Sequence, residues 1–420
     1  MSPSPSTLQI LGAVLFAVAL AHTFAASQFE RLAHRFPRHR GLFPLLGEVE
    51  GVCGCWAIVL IGAMALIAGG DAALSYAESR NYTEPLFVFV VMVIAASRPI
   101  LTTVSAIVGK LAHLAPLPTP LMTAWLGLFA VPLMGSLVTE PAAMTIAALM
   151  LAPVVFTAAM PPMHKYFALG VLFVNISIGV TLTSFAAPPI LMVAHTWQWD
   201  SSFVFMQFGW KAALAVLINA TLAATLLRRH VVAPPIEPGS ERPPVPFAVA
   251  AIHIGLLAGV VAFAHHPVIF MGIFLTFLGF AQAYEHHQSR LIIREGLLVG
   301  FFLAGLVVLG GLQSWWLQPL VAGLEPMALF FGAVALTAIT DNAALTYLGS
   351  LIPDIGDQAK YMLVAGAVAG GGLTVIANAP NPAGQALLKH GFSGGTVSAL
   401  GLLAGAALPT LVAIGAFLIL

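Results

Sequence analysis

Long apolar runs separated by short polar segments dominate this sequence. The runs are about 20 residues long, which is the length that a helix needs to cross the hydrocarbon core of a bilayer. They are continuous and rich in Leu, Ala, Val and Gly, whereas the strands of a transmembrane barrel alternate over shorter segments. We therefore predict an all-α polytopic membrane protein, with crossings at 8–26, 50–70, 85–109, 166–195, 203–227, 247–264, 267–284, 292–312, 361–388 and 396–420.

One segment near the middle of the chain differs from the rest in composition. Residues 228–246 are rich in Pro, Arg and Glu, which is typical of a linker. The linker divides the chain into two halves with five predicted crossings each. We predict that 1–227 and 247–420 are two repeats, and because five is an odd number, the repeats must be inverted.

Each half also contains one apolar segment that an acidic residue interrupts. Residues 120–153 are interrupted by Thr139-Glu140-Pro141, and residues 324–353 are interrupted by Thr340-Asp341-Asn342. A carboxylate in the middle of a crossing costs several kcal/mol if it faces lipid. We therefore predict two re-entrant helical hairpins, with polar tips that lie at membrane depth against protein or a watery cavity.

The positions of the basic residues test this topology. If the chain starts outside and the hairpins do not cross, the external loops hold only Arg80 and Lys360 of the sixteen Lys and Arg residues. Arg98 and Lys211 fall within crossings, and all the others lie in cytoplasmic loops, as the positive-inside rule requires. We predict a protein of the inner membrane with both termini in the periplasm and the linker in the cytoplasm.

The two hairpin tips have matching residues, and a crossing with an internal break follows each tip. Both tips have a Thr, then an acid, one further residue and two alanines. The breaks are Thr183–Pro189 within 166–195 and Ala377–Pro382 within 361–388. Prolines remove backbone hydrogen bonds, so the freed carbonyls and helix ends of a broken helix can coordinate an ion.

The matched residues indicate a site for a small cation. Glu140 and Asp341 are the two carboxylates that the sequence places deep in the membrane. Because burial disfavours the charged form of an acid, such a group can hold a proton near neutral pH and release it when a cation arrives. We predict that both acids bind Na⁺ and H⁺, and that neutral oxygen ligands come from Thr139, Thr340, Asn342, Ser184, Asn378 and Asn381.

Other interpretations of the same residues remain open. A buried acid could pair with Arg98 or Lys211 and hold the bundle together. Arg98 could neutralise a site carboxylate or position its partner helix, and Asn175 could be a ligand or form a hydrogen bond between helices. The proline pairs could be ordinary kinks.

Composition excludes several other classes of function. The chain is 60% hydrophobic and 8% charged, with a formal net charge of zero, which argues against a nucleic-acid partner. Cys53 and Cys55 lie two residues apart on one predicted helix and cannot form a normal disulfide. The sequence shows no histidine cluster or nucleophile motif, so we predict neither an enzyme nor a bound cofactor.

The hairpins, the broken crossings and the motifs Thr340-Asp341-Asn342 and Asn378-Ala379-Pro380-Asn381-Pro382 resemble the ion transporter superfamily. Within this superfamily, the stretches Leu336–Leu348 and Val375–Leu388 resemble a bacterial family of sodium–proton antiporters. The resemblance implies a homodimer in the membrane, in which a scaffold domain holds a moving transport domain. The symporters of the superfamily carry Ser-Asn-Thr at both tips, so the acids found here favour a cation as substrate.

We therefore predict a secondary Na⁺/H⁺ antiporter that uses the carboxylates at the two hairpin tips. The alternative is a Na⁺- or H⁺-coupled carrier of organic anions, in which the helix ends bind the anion and Asp341 binds only Na⁺.

Overall fold

The computed structural model of the protein describes residues 6–23, 49–114, 117–232 and 243–420. Within these residues the chain forms helices and turns and no strands, which confirms the all-α prediction. Short 3₁₀ turns lie at Glu285–His287, Lys389–Gly391 and Ser393–Gly395, and a π-helical segment at Phe205–Gly209 lies within α11. The α-helices are α1 Thr7–Thr23, α2 Val49–Ala68, α3 Gly70–Glu78, α4 Thr83–Ala95, α5 Arg98–Leu114, α6 Thr119–Leu128, α7 Ala130–Val138, α8 Glu140–Leu151, α9 Pro162–Gly179, α10 Pro188–Trp197, α11 Ser201–Leu227, α12 Phe247–Ala262, α13 Pro267–Ala283, α14 Ile293–Gly310, α15 Ser314–Ala322, α16 Pro326–Thr337, α17 Asn342–Ser350, α18 Asp357–Gly370, α19 Asn381–Leu388 and α20 Ala399–Ile419.

Several of these helices are long and apolar enough to cross a membrane. In the described part of the chain, α2, α11, α14 and α20 each meet that requirement alone, and the number rises to six if each of two bent helix pairs is one span. The helices α1, α8, α12, α13 and α16 are apolar but shorter. Of these, α8 and α16 belong to the predicted hairpins, in which the chain enters the membrane without crossing it, whereas α1, α12 and α13 lie at predicted crossings.

The crossing predicted at 85–109 is two helices in the structure. Helix α4 ends at Ala95 and α5 begins at Arg98, with a bend of 64° between them. Pro99 explains the bend, because proline has no backbone N–H and disfavours helical geometry in the residue before it. Arg98 therefore lies at a bend rather than in the middle of a straight crossing.

A second bend, of 44°, separates α6 from α7 in the first hairpin. Pro132 cannot donate a hydrogen bond to the carbonyl of Leu128 one turn earlier. That carbonyl instead accepts a hydrogen bond of 2.8 Å from Nδ2 of Asn175 on α9. The buried amide of Asn175 therefore satisfies the carbonyl that the bend leaves without a helical partner.

The hairpin and break elements have clear bounds in the structure. The first hairpin consists of α6 and α7 on one arm and α8 on the other, and the second consists of α16 and α17. Break 1, residues 180–187, separates α9 from α10, and break 2, residues 371–380, separates α18 from α19. The division into repeats 1–227 and 247–420 stays a prediction, and residues 233–242 of the predicted linker 228–246 lie outside the described residues.

The two halves of the chain interlock through these elements. Helix α10, after break 1, packs on α17 of the second hairpin, and α19, after break 2, packs on α8 of the first hairpin. Each hairpin is therefore held by the broken helix of the opposite half. This exchange brings both hairpin tips to the interface between the halves.

Helices α9 and α20 cross at their glycines, which lets their backbones approach closely. A Cβ atom on Gly170 would run into backbone atoms of Gly405 and Ala406, and a Cβ on Gly405 would run into the backbone of Tyr166. Small residues at such crossings are typical of helix packing in membranes, where close van der Waals contact drives association.

Substitution of Gly405 by alanine should therefore destabilise the protein by about 1–3 kcal/mol, because neither backbone can move away cheaply. The measurement is the temperature of thermal unfolding in detergent. The matched control is Gly415→Ala on the same helix, where the added Cβ meets only Ile419 Cδ1 at 4.0 Å and helix propensity favours alanine. Equal unfolding temperatures for the two variants would show that the crossing is not tight.

Candidate functional site

The first hairpin turns at Thr139, immediately before α8. Thr139 has φ 146° and ψ 160°, a region that β-branched side chains rarely adopt, and its Oγ1 accepts a long hydrogen bond of 3.4 Å from the N–H of Ala142. Glu140 is the first residue of α8 and is only 1% exposed. The turn therefore places a carboxylate inside the protein at the start of a helix.

The second hairpin turns at Asp341, which is the N-cap of α17. Oδ1 of Asp341 accepts hydrogen bonds from the N–H groups of Ala343 at 2.8 Å and Ala344 at 3.1 Å. A carboxylate at this position satisfies free N–H groups and interacts favourably with the positive end of the helix. Thr340 lies on the outer side of this turn, and its hydroxyl donates to the carbonyl of Leu336 in the preceding helix at 2.7 Å.

Break 2 connects the two tips. Nδ2 of Asn378 donates a short hydrogen bond to Oε1 of Glu140 at the first tip. One residue earlier, the carbonyl of Ala377 accepts the N–H of Asn342 at the second tip, at 3.1 Å. The structure thus brings both predicted acids and Asn378 to one place.

Asn381, the first residue of α19, stabilises the shape of break 2 through its side-chain amide. Its Nδ2 donates to the carbonyls of Gly371 at 2.8 Å and Thr374 at 2.9 Å, which the break has left without helical partners. Gly371 allows a further close approach, since a Cβ atom there would meet Nδ2 of Asn342 and Oγ of Ser177. Asn342 therefore packs against break 2 through both its backbone and its side chain.

Break 1 is built differently. Ser136, in the arm before the first tip, donates to the carbonyl of Gly179 at 3.0 Å and accepts the N–H of Leu182 at 3.0 Å. Thr183 in turn donates to the carbonyl of Ser136 at 2.8 Å. The hydroxyl of Ser184 lies 3.1 Å from Oγ of Ser201 and lines a separate cavity of about 570 Å³. The structure does not bring Ser184 to the carboxylates.

Several polar atoms around the tips are buried without a hydrogen-bond partner. Such orphan atoms are costly inside a protein, so a group of them in one region indicates a place for a ligand or water. Within the described residues, those at the tips and at break 2 are Oε2 of Glu140, Oγ1 of Thr337, both side-chain atoms of Asn342, Oδ1 of Asn378 and Oδ1 of Asn381.

A narrow cavity adjoins the first tip. Its volume is about 20 Å³, which is room for roughly one water-sized particle. Thr139, Glu140 and Ala379 line it from the tip and break 2, and Phe87 and Phe185 are among the residues that close it from the other side. The other residues that line the cavity are apolar, so Thr139 and Glu140 are the polar side chains in its lining.

The cationic side chains that could have neutralised the acids have other partners. Nη2 of Arg98 donates to the carbonyl of Pro243 at 2.8 Å. Lys211 is buried, and its Nζ donates to the hydroxyl of Tyr361 at 2.9 Å. Among the described residues, neither of these cations pairs with Glu140.

Asn175 forms hydrogen bonds between helices, which was one of the two roles that the sequence left open for it. Besides Leu128, its Nδ2 reaches the carbonyl of Val216 at 3.3 Å, and its Oδ1 accepts Nδ2 of Asn219 at 3.0 Å. The same amide of Asn219 also donates to the carbonyl of Pro409 at 3.2 Å. The network therefore ties α9 to α6, α11 and α20.

Sequence reasoning did not identify Ser136, Ser177 and Thr337. Ser136 and Thr337 each lie four residues before a tip acid, so the matched spacing was a signal that could have found them. Ser177 is buried two residues before the end of α9, where its hydroxyl donates to the carbonyl of Val368 at 2.8 Å. No motif marks it, because its partner lies in the other half of the chain.

Comparison with known proteins decides the family. A family model described as "Putative Na+/H+ antiporter" matches residues 7–420, which is nearly the whole chain. The chain belongs to this family. Membership confirms the resemblance found in the motifs, and together with the apolar helices it points to a multi-pass membrane transporter.

The other comparisons add little to this antiporter family assignment. Among curated proteins no match is found. Among solved structures, the chain is similar to the YdaH transporter of Alcanivorax borkumensis, whose crystal structure is described as revealing an unusual topology. The identity is 16% and the TM-score 0.47, over 84% of this chain and 88% of that one.

The strained backbone of Thr139 leads to a prediction about stability. Glycine adopts the φ of this residue without strain. Thr139→Gly should therefore raise the free energy of unfolding by part of the roughly 1–3 kcal/mol that the strained turn costs. Thr139→Ala keeps the strain and loses the capping hydroxyl, which should cost about 1 kcal/mol. Thermal unfolding of both variants in detergent measures the difference, and a glycine variant less stable than the alanine variant would contradict the strained geometry.

Proposed function

We propose that the protein exchanges Na⁺ for H⁺ and that Glu140 is the group for which the two ions compete. The observation that supports this most is the environment of its carboxylate. Among the described residues, Oε1 accepts one amide hydrogen bond from Asn378 and Oε2 is buried without a partner, and Glu140 lines a cavity that holds about one small particle. A proton on Oε2 or a cation in the cavity would each satisfy that oxygen, but they would not do so together.

Exchange follows from this competition. An isolated buried carboxylate is strongly disfavoured in its charged form, so in the absence of a cation Glu140 holds a proton. When a cation enters, the carboxylate can release the proton and bind the ion, with help from nearby amide and hydroxyl oxygens. Asn378 is well placed for this, because its Nδ2 holds Glu140 while its Oδ1 is buried without a hydrogen-bond partner.

Asp341 has a second role in this proposal. Its Oδ1 accepts the two N–H groups of α17, and break 2 joins its hairpin tip to that of Glu140. Two like charges at close range favour the protonation of one of them or the binding of a cation between them. Oxygen ligands of this type suit hard cations such as Na⁺ and disfavour an organic anion.

We also propose the surroundings in which this exchange takes place. The distribution of basic residues supports an inner-membrane location with both termini in the periplasm. Resemblance to the ion transporter superfamily supports a homodimer in the lipid bilayer, with Na⁺ and H⁺ as transported substrates and no bound cofactor.

Substitution of either acid by its amide should abolish exchange without unfolding the protein. Glu140→Gln keeps the size of the side chain but cannot release a proton, and Asp341→Asn keeps a good N-cap while removing the charge. We expect Na⁺-driven proton flux in liposomes, measured with a pH-sensitive dye, to fall by at least about a hundredfold for Glu140→Gln. Asp341→Asn should lose most of its flux as well.

The matched controls are Glu325→Gln and Asp357→Asn, which remove exposed carboxylates near the second hairpin. Both should retain wild-type flux and unfolding temperature. Full activity in Glu140→Gln would rule out the proposed site. Uptake of a carboxylate substrate without any Na⁺-driven proton flux would favour the organic-anion carrier instead.

Two titrating carboxylates permit more than one proton for each cation, so we expect exchange to be electrogenic. A Na⁺ pulse applied to liposomes that contain the purified protein should produce a membrane potential as well as a pH change. A voltage-sensitive dye measures the first and a pH-sensitive dye the second. A pH change without any voltage signal would show that one proton moves for each Na⁺.

A further inference from the structure

Beside the site at Glu140 lies a much larger cavity that no part of the proposed function has used. Its volume is about 570 Å³, and it lies among the start of α4, the end of α10, the start of α11 and the end of α12. In the topology predicted from the basic residues, all four of these helix ends face the periplasm. We refer to this cavity as the outer vestibule.

The chemistry of the outer vestibule suits a passing cation. Glu84 and Asp200 contribute carboxylates, and the hydroxyls of Thr83, Ser184 and Ser201 lie along its walls. Carboxylates in a cleft raise the local concentration of cations. His195 and His265, whose rings lie 5.8 Å apart, are close enough to Glu84 for their charges to interact with it.

The outer vestibule and the narrow cavity at Glu140 share two lining residues, Phe87 and Phe185. These two aromatic side chains therefore stand between the wide polar space and the buried carboxylate. Water and ions are excluded from such an apolar constriction unless a side chain moves.

The two phenylalanines are held very differently. Phe87 is buried on the regular helix α4, and its ring packs edge-to-face on Phe270 of α13 at 5.9 Å. Phe185 lies in break 1, where no helix fixes the backbone, and it is only half-buried. A fixed side chain on a helix and a less constrained one on an irregular segment are the two parts that a gate needs.

We infer that the outer vestibule is the entrance through which cations reach Glu140 from the periplasm, and that Phe87 and Phe185 form its closed gate. Phe87 is the stationary side of the gate and Phe185 is the side that moves. This inference rests on the proposed role of Glu140, but it concerns access, so it can be tested without measuring transport.

The test is the reaction of single cysteines with a charged, membrane-impermeant thiol reagent added to the periplasmic side of whole cells. Cys53 and Cys55 are the only cysteines of the chain and are first replaced by alanine. Ala264→Cys places a thiol in the outer vestibule, and Ala379→Cys places one in the narrow cavity beyond the gate.

We expect Ala264→Cys to react rapidly and Ala379→Cys to react slowly while Phe185 is present. Adding Phe185→Ala should join the two cavities and increase the labelling rate of Ala379→Cys by about tenfold or more, because the rate follows the fraction of molecules in which the site is open. The matched control is Phe331→Ala, which removes an exposed ring from α16 and should leave the rate unchanged. Phe185→Leu should give an intermediate rate, and it serves as the test variant if the alanine variant does not fold.

Three results would overturn the inference. Fast labelling of Ala379→Cys with Phe185 intact would show that there is no gate. An unchanged rate in both Phe185 variants, while Ala264→Cys still reacts, would show that the path to Glu140 runs elsewhere. Labelling of Ala264→Cys only in inside-out vesicles would place the vestibule on the cytoplasmic side. Loss of transport in Glu140→Gln is measured separately, so failure of the gate and failure of the site are distinguishable.

Discussion

The hydrogen bond between Asn378 and Glu140 is the interaction on which the rest of the arrangement depends. A carboxylate in a low-dielectric interior is unfavourable unless it is neutral, hydrogen-bonded or bound to a cation. Within the part of the chain that the structure describes, only one of its two oxygens has a protein partner. The site is therefore incomplete by itself, and this makes it sensitive to the arrival of a proton or a cation.

Irregular backbone within the membrane is the structural consequence of this requirement. A continuous helix satisfies its own carbonyls and N–H groups and offers few of them to a ligand. The hairpin turns and the two breaks leave backbone carbonyls and N–H groups without helical partners. Polar side chains from elsewhere in the chain form hydrogen bonds to some of these groups. Ser136 does so at break 1, Asn381 at break 2 and Asn175 at the bend in the first hairpin.

The two hairpin tips share a residue pattern but differ in how they use their acids. Helix α8 begins at Glu140 with Thr139 as its cap, whereas α17 begins at Asn342 with Asp341 as its cap. This shift of one residue turns Asp341 toward its own helix and leaves Glu140 free to reach Asn378. The asymmetry extends to the breaks, since break 2 contacts both tips while Ser184 of break 1 lines the outer vestibule.

The sequence by itself determined the elements of this protein, because each depends on local physical rules. Apolar length predicts the helices, an acid within an apolar run predicts a hairpin tip, and prolines predict breaks. Only the tertiary structure decided which side chains meet. Asn378 contacts Glu140 across 238 residues of sequence, while Arg98 donates to the carbonyl of Pro243 and Ser184 lies beside Ser201. Such pairings depend on how two distant halves pack, and the spacing of residues along one chain carries no record of that packing.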